Sequence, residues 1–177
     1  MKEIEFRQKI ADIIKEHLQP NAHKAYLKWK RKNVSYRGIQ DRSKEDNGGM
    51  AKYGSGLYTA ALSNKSMAKQ YGQVYFVVHA VPKNPKIVRN TNDAEMFIQN
   101  LEGEYCAKHN KPRDPRYFHA NTTIPKEMIA KGYDGLVIQG REMVNYTPPS
   151  NVQYFRSEED VKDYFLSLYY GQDATDL

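Results

Sequence analysis

The sequence predicts a single α+β domain with helices at both ends and a core of interleaved strands and helices. Its 177 residues lie within the usual size of one domain, and 40% hydrophobic residues suffice for a core without disulfides or metals. Helical segments and short β-prone runs follow one another irregularly, whereas a parallel α/β sheet needs a regular alternation of strand and helix. We therefore assign residues 1–32 to an N-terminal helical segment, 33–156 to the core and 157–177 to a C-terminal helix and tail.

Two helices are predicted before the first strand. From Ile4 to Leu18 the apolar residues mostly follow helical spacing, and Pro20 ends the pattern. A second helix is predicted from about Ala22 to Lys32. The residues that we expect to face the core in this second helix are Ala25, Tyr26 and Trp29.

The run NVSYRGI is β-branched and aromatic, which predicts a strand, and a loop rich in Asp, Lys, Asn and Gly follows it up to Gly56. A second short strand is predicted from Leu57 to Ala60. A brief helix should then run from Ser63 to Gln70, with the serine hydroxyl capping its free amides.

The segment from Gln73 to Val81 is nearly all apolar and β-prone, as expected of a central strand that is covered on both faces. Residues 92–110 have helical spacing, and Pro112 and Pro115 close that element.

The last elements are a helix, a hairpin and a C-terminal helix. Pro125 should open a helix that runs to Lys131. The runs YDGLVI and EMVNYT predict two strands joined by a turn at residues 139–141. The final helix should start at Ser157, because SEED supplies a cap followed by first-turn acids.

Charge is concentrated near the N-terminus. The formal net charge is +6, and much of it comes from the segment KAYLKWKRKN. Anionic ligands or partners would be attracted there. The segment fits either a solvated basic helix face or a nucleic-acid-binding surface.

Other features limit the classes of function. Cys106 is the one cysteine of the chain, so it has no internal disulfide partner, and no Cys or His spacing indicates a metal site. Its position in a helical stretch favours a packing role over a catalytic thiol. The apolar runs are too short to cross a bilayer and the first residues do not resemble a secretory signal. We therefore expect a cytoplasmic protein without membrane association.

Three places combine special backbone residues with functional side chains. The first is Tyr36-Arg37-Gly38, where the arginine fork suits a phosphate and the glycine permits close approach of a ligand to the backbone. The second is the block from Gly54 to Tyr71, whose Tyr58 and Tyr71 would form an aromatic slot for a flat, cationic heterocycle. The third is Glu142 in the predicted hairpin, a carboxylate suited to electrostatic stabilisation.

In kind and order these segments, SYRGI, GLYTAALSNKSMAKQYG and EMVNY, resemble the three-part signature of the ADP-ribosyltransferases. The tyrosines and the glutamate are similar to the diphtheria-toxin-like and poly(ADP-ribose)-polymerase-like branch, which carries Tyr-His-Gly on its first strand. Arg37 stands where that branch has histidine and is similar to the arginine of the cholera-toxin-like branch, so the signature is mixed.

The resemblance implies a split antiparallel sheet, an NAD-binding core at residues 33–156 and mono-ADP-ribosyltransferase activity with NAD as substrate. Arg37 would grip the NAD phosphates or the adenosine ribose, and the backbone at Gly38 would bind the nicotinamide amide. Glu142 would be the catalytic carboxylate. The remaining positions implied for NAD binding are Tyr36, Gly56, Tyr58, Thr59 and Tyr71, of which the tyrosines at 58 and 71 would sandwich the nicotinamide ring.

The acceptor of ADP-ribose is open between a protein side chain, a nucleic acid, a small molecule and water. The cholera-toxin-like branch has a Ser-Thr-Ser strand and an acid or amide two places before its glutamate, where this chain has Tyr58-Thr59-Ala60 and Gly140. An arginine acceptor is therefore disfavoured. Two other functions remain alternatives: a nucleic-acid-binding or RNA-processing protein that uses the basic N-terminal helix, and an inactive module that binds NAD.

Overall fold

The computed structural model describes residues 20–39, 52–114 and 116–173, so the helix predicted from Ile4 to Leu18 lies outside the described residues. The α+β class is confirmed. The helices are α1 (Pro20–Asn33), α2 (Lys65–Lys69), α3 (Thr91–Lys108), α4 (Ala120–Ala130) and α5 (Glu158–Asp173). The strands are β1 (Val34–Ile39), β2 (Leu57–Ala60), β3 (Gln73–Val78), β4 (Pro85–Val88), β5 (Gly135–Ile138), β6 (Glu142–Asn145) and β7 (Gln153–Phe155).

The seven strands form one open sheet in the order β4-β5-β6-β2-β1-β3-β7. The expectation of an antiparallel sheet is wrong for β4 and β5, which pair in parallel. The position expected for β3 is also wrong, because β2 lies at the centre and β3 is next to the edge strand β7. The expectation that β3 is covered on both faces is confirmed, since Val77 and Val78, which point to opposite faces, are both fully buried.

The sheet is weakest between β1 and β2. These strands pair at one position, Tyr36 with Ala60, whereas β1 pairs with β3 along its whole length. From Arg37 to Ile39, the edge of β1 that faces β2 pairs with no described strand. The two halves of the sheet therefore separate from Arg37 onward.

Two of the three core clusters lie on the same face of the sheet. The α3/α4 cluster joins these helices to Leu136 and Val144, and the α1/α5 cluster joins those helices to Val34 and Phe76. We call this side the helical face. The third cluster, on the opposite face, contains Ile39, Tyr75, Val77 and Ala80.

The predicted start of α4 at Pro125 is wrong, because the helix begins five residues earlier at Ala120. A proline inside a helix leaves the carbonyl four residues before it without its usual donor. Here that carbonyl belongs to Asn121 and accepts a hydrogen bond of 2.9 Å from the amide of Ser55. The loop that leads into β2 thus takes the place of the missing helical bond.

The N-terminal capping residues of α2 and α5 were predicted from the sequence. Ser63 was the expected cap of α2, but Asn64 caps it, because its side-chain oxygen accepts a hydrogen bond from the amide of Met67. At α5 the expectation is confirmed, since the Ser157 hydroxyl accepts a hydrogen bond from the amide of Asp160.

The hairpin of β5 and β6 is confirmed, with Gly140 at φ 66° in the turn. In the described ranges no helix is both long enough and apolar enough to cross a bilayer.

Candidate functional site

The three motif segments lie on three neighbouring strands. Glu142 on β6 pairs with Ala60 on β2, and Ala60 pairs with Tyr36 on β1. Residues paired across strands point to the same face, so these three positions form a row on the helical face, with about 10 Å between its ends. We call this row, together with Gly38 and Tyr58, the seam, because it lies where the α3/α4 and α1/α5 clusters meet.

Glu142 is a half-buried carboxylate at one end of the seam. Its side chain is 21% exposed, and Arg141 is its one ion-pair partner among the described residues, at 3.9 Å. Burial raises the pKa of Glu142, while the positive charges of Arg141 and Lys52 act in the opposite direction. No hydrogen bond within the described ranges engages this carboxylate. It is therefore free to accept one from a ligand hydroxyl.

Tyr58 has its hydroxyl fixed by the loop before β2. That hydroxyl donates to the Gly54 carbonyl at 2.7 Å and accepts from the Tyr53 amide at 3.1 Å. The Tyr146 hydroxyl donates to the Tyr53 carbonyl at 2.8 Å. Burial raises the pKa of Tyr58, so it stays protonated as a donor. These bonds hold the loop against β2 and β6, beside Glu142.

The Tyr53 hydroxyl is a buried polar group that sequence reasoning missed. The residue is 2% exposed, and the hydroxyl has no hydrogen-bond partner in the described part of the chain. Burial raises the pKa of Tyr53 and the Glu142 charge acts in the same direction, whereas Lys52 opposes it. The Lys52 ammonium lies 5.5 Å from the ring centroid. A buried hydroxyl without a geometrically defined partner is uncommon and is expected to cost stability.

We expect Tyr53→Phe to raise the free energy of unfolding by about 1 kcal/mol, because it removes a hydroxyl that is buried without a partner. Tyr146→Phe is the matched variant and should lower it by about the same amount, because it leaves the Tyr53 carbonyl without its donor. Urea denaturation measures both. Equal destabilisation by the two variants would mean that the Tyr53 hydroxyl already has a partner.

Tyr71 lies just beyond α2, with 61% of its surface exposed. Its Cβ would be 3.0 Å from a Cβ placed on Gly38. The Tyr58 and Tyr71 rings, both described, do not contact each other. The slot that they would form is thus bordered by one fixed ring and one exposed ring. Tyr36 completes the group: its ring packs on Phe76 at 5.1 Å, and the Lys65 ammonium lies 5.8 Å from its centroid.

Both glycines of the motifs are required by packing. A Cβ on Gly38 would lie 1.8 Å from the Ala68 carbonyl oxygen of α2. A Cβ on Gly56 would lie 2.6 Å from Val144 and 2.7 Å from the Asn145 carbonyl oxygen, so the start of β2 depends on close approach to β6. The sequence analysis expected a ligand to approach the backbone closely at Gly38. In the structure helix α2 makes that close approach.

Arg37 and Thr59 point away from the seam. Side chains alternate along a strand, so these neighbours of Tyr36 and Tyr58 lie on the opposite face. The Arg37 guanidinium donates to the Tyr154 hydroxyl at 3.1 Å. Thr59 is 4% exposed, and its hydroxyl has no partner in the described residues. The structure thus brings Tyr36, Gly38, Tyr58, Tyr71 and Glu142 together but not the Arg37 side chain.

An open cavity of about 360 Å³ lies away from the seam, at the edge strand β4. Its walls include Lys86, Ile87, Met96 and Phe97. The Lys86 ammonium sits 5.1 Å from the Phe97 ring centroid, and Arg89 is paired with Asp93. Two of the three charged side chains that line this cavity, Arg89 and Asp93, therefore pair with each other, and the third, Lys86, lies over an aromatic ring.

Comparison of the chain with protein-family models, with curated proteins and with solved structures found no match to any of them.

Proposed function

We propose that the chain is a mono-ADP-ribosyltransferase that binds NAD at the seam, cleaves the nicotinamide glycosidic bond and transfers ADP-ribose to an acceptor. The observation that carries this proposal is the row of Glu142, Ala60 and Tyr36 on three neighbouring strands. The motif segments are widely separated in sequence, yet they lie on three neighbouring strands of one sheet, which supports the proposal. The half-buried carboxylate of Glu142, which accepts no hydrogen bond from a described residue, supplies the chemical group.

Glu142 acts on the charge that develops during bond cleavage. The bond between ribose C1 and the nicotinamide nitrogen breaks with its electron pair going to the nitrogen, so nicotinamide leaves as a neutral molecule. The ribose then acquires oxocarbenium character, and a carboxylate that accepts a hydrogen bond from the 2-hydroxyl stabilises this state more than the ground state. The acceptor attacks C1 and loses a proton, and water in its place gives hydrolysis.

The other seam residues orient NAD. The fixed Tyr58 ring and the exposed Tyr71 ring border the nicotinamide, and cationic rings bind favourably to aromatic faces. Backbone groups of β1 near Gly38 have no strand partner on the β2 side among the described residues, and we propose that they bind the nicotinamide amide. Gly56 allows the start of β2 to approach β6 closely, and Thr59 lies buried on the opposite face of the same strand. We place the reaction in the cytoplasm, which suits the free, buried thiol of Cys106.

Arg37 would contact NAD only where the ligand passes between β1 and β2 to the opposite face. We expect Arg37→Ala to raise the KM for NAD about tenfold with little change in kcat, because phosphate binding acts equally on substrate and transition state. Tyr154→Phe is the control, since it removes the hydroxyl partner and keeps the cation. A fall in kcat at unchanged KM would instead move Arg37 into the bond-breaking step.

The test of the proposed function is release of nicotinamide from NAD by the purified protein, with and without cell extract as a source of acceptors. Thermal unfolding with and without NAD is measured in parallel. Release that extract increases supports a transferase. Protection by NAD without release would leave the alternative of an inactive NAD-binding module. The absence of both nicotinamide release and protection by NAD would contradict the proposal.

A further inference from the structure

The exposed face of α1 carries a row of cations. Exposed side chains recur at spacings of three and four residues, so they share one side of the helix. Tyr26 and Trp29 on the other side pack in the α1/α5 cluster. The exposed cations are Lys24, Lys28, Arg31 and Lys32, which we call the basic face, and Leu27 lies among them.

No acidic residue in the described ranges neutralises the basic face. Helix α1 contains no acidic residue, and none of the four cations forms an ion pair with a described residue. Lys30 is different, because it points to the other side and pairs with Glu158. Arg31 and Lys32 are favourable in the last turn of the helix, but Lys24 lies near the positive end of the helix dipole. Like charges four residues apart also disfavour the helix, so local stability does not explain Lys24 and Lys28.

The position of the basic face relates it to the seam. Helix α1 covers the helical face of the sheet, and Asn33 leads directly into β1. Lys32 and Tyr36 are therefore separated by about 13 Å of chain at most. The four cations extend over about 12 Å along the helix, since each residue advances it by 1.5 Å.

We infer that the basic face binds the phosphate backbone of a nucleic acid, and that this nucleic acid is the acceptor of ADP-ribose. A row of unpaired cations matches the regular anions of such a backbone. A lipid surface would need an apolar helix face, yet Leu27 is the one large apolar side chain in this row of α1. The assignment as acceptor rests on the proposed function, whereas the binding surface does not.

Binding is tested with a fluorescein-labelled single-stranded RNA of about 20 nucleotides, followed by anisotropy over a range of salt concentrations without NAD. The variant Lys24→Gln, Lys28→Gln, Arg31→Gln should bind about tenfold more weakly or worse. The slope of log K against log salt concentration should become shallower by about two, as expected for the loss of three phosphate contacts on a single strand. The control Lys83→Gln, Lys108→Gln, Lys126→Gln removes the same charge from exposed sites elsewhere and should stay within about threefold of wild type.

Three outcomes would overturn the inference: no binding of RNA by the wild type at low salt, an equal loss in both triple variants, or equally tight binding of polyglutamate. The last outcome would indicate an acidic protein as partner. The acceptor role is then tested with NAD labelled in its ADP-ribose moiety. Wild type should label the RNA, and the basic-face variant should lose labelling while it still releases nicotinamide. If the wild type binds RNA but releases no nicotinamide from NAD, the proposed function is contradicted and the RNA-binding surface is supported.

Discussion

Glu142→Gln is expected to reduce nicotinamide release from NAD by roughly a hundredfold or more, while NAD still protects the protein against heat. The amide keeps the size of the side chain but lacks the negative charge that, in the proposed mechanism, stabilises the oxocarbenium-like ribose. Glu127→Gln is the control, since it makes the same chemical change on α4, away from the seam. Release by Glu142→Gln at close to the wild-type rate, with the fold verified by circular dichroism, would exclude the proposed role.

The same variant should not weaken the fold. Burial raises the pKa of Glu142 above its value in the unfolded chain, so the folded state favours the protonated form. Stability from this group is therefore fully present below the unfolded pKa and is lost as the pH rises through the folded one. At neutral pH glutamine removes a buried charge, and thermal unfolding should show equal or greater stability. The nicotinamide release of the wild type should instead fall as the pH is lowered, because acid protonates the Glu142 carboxylate.

Gly38→Ala is expected to destabilise the protein by about 1 to 3 kcal/mol, because the new Cβ would meet the Ala68 carbonyl oxygen at 1.8 Å. That oxygen belongs to the backbone of α2, so the helix must move rather than a side chain. Because Tyr71 follows α2 directly, we also expect weaker NAD binding. Urea denaturation and NAD titration measure the two effects.

Gly171→Ala provides the opposite case in the same protein. Gly171 lies inside α5, and a Cβ there would find no atom within 4 Å. Alanine is the better helix former, so this variant should be more stable by up to about 1 kcal/mol and should bind NAD normally. If both variants changed stability in the same direction, the contact between Gly38 and α2 would not be the cause.

Local signals predicted most elements of the fold. The spacing of Tyr26 and Trp29 indicated α1, and the runs at β1 and β2 coincide with strands in the structure. Strand β4 was missed because PKIV begins with proline and lies at the edge of the sheet. Strand β7 has three residues, too few to show a pattern. The early start of α4 was missed because a proline normally begins a helix or breaks it.

The candidate site could be predicted only in part. The kinds of residue and their order identified Glu142, Tyr58 and Tyr71, but not which face each side chain occupies. That depends on pairing between strands far apart in the sequence, such as Ala60 with Glu142, and it places Arg37 on the opposite side. Tyr53 carried no distinguishing signal, since it is one of 14 tyrosines and its importance comes from an unpaired hydroxyl.

The bond from the Ser55 amide to the Asn121 carbonyl has a consequence for the time at which the site forms. A ribosome makes the loop before β2 long before it makes α4, and Glu142 later still, so the emerging N-terminal half lacks both the carbonyl that anchors this loop and the carboxylate. Contacts between distant parts of the chain also form slowly. A partly synthesised chain thus lacks both the anchor of this loop and the carboxylate at the end of the seam, and the seam is complete only after β6 has been made.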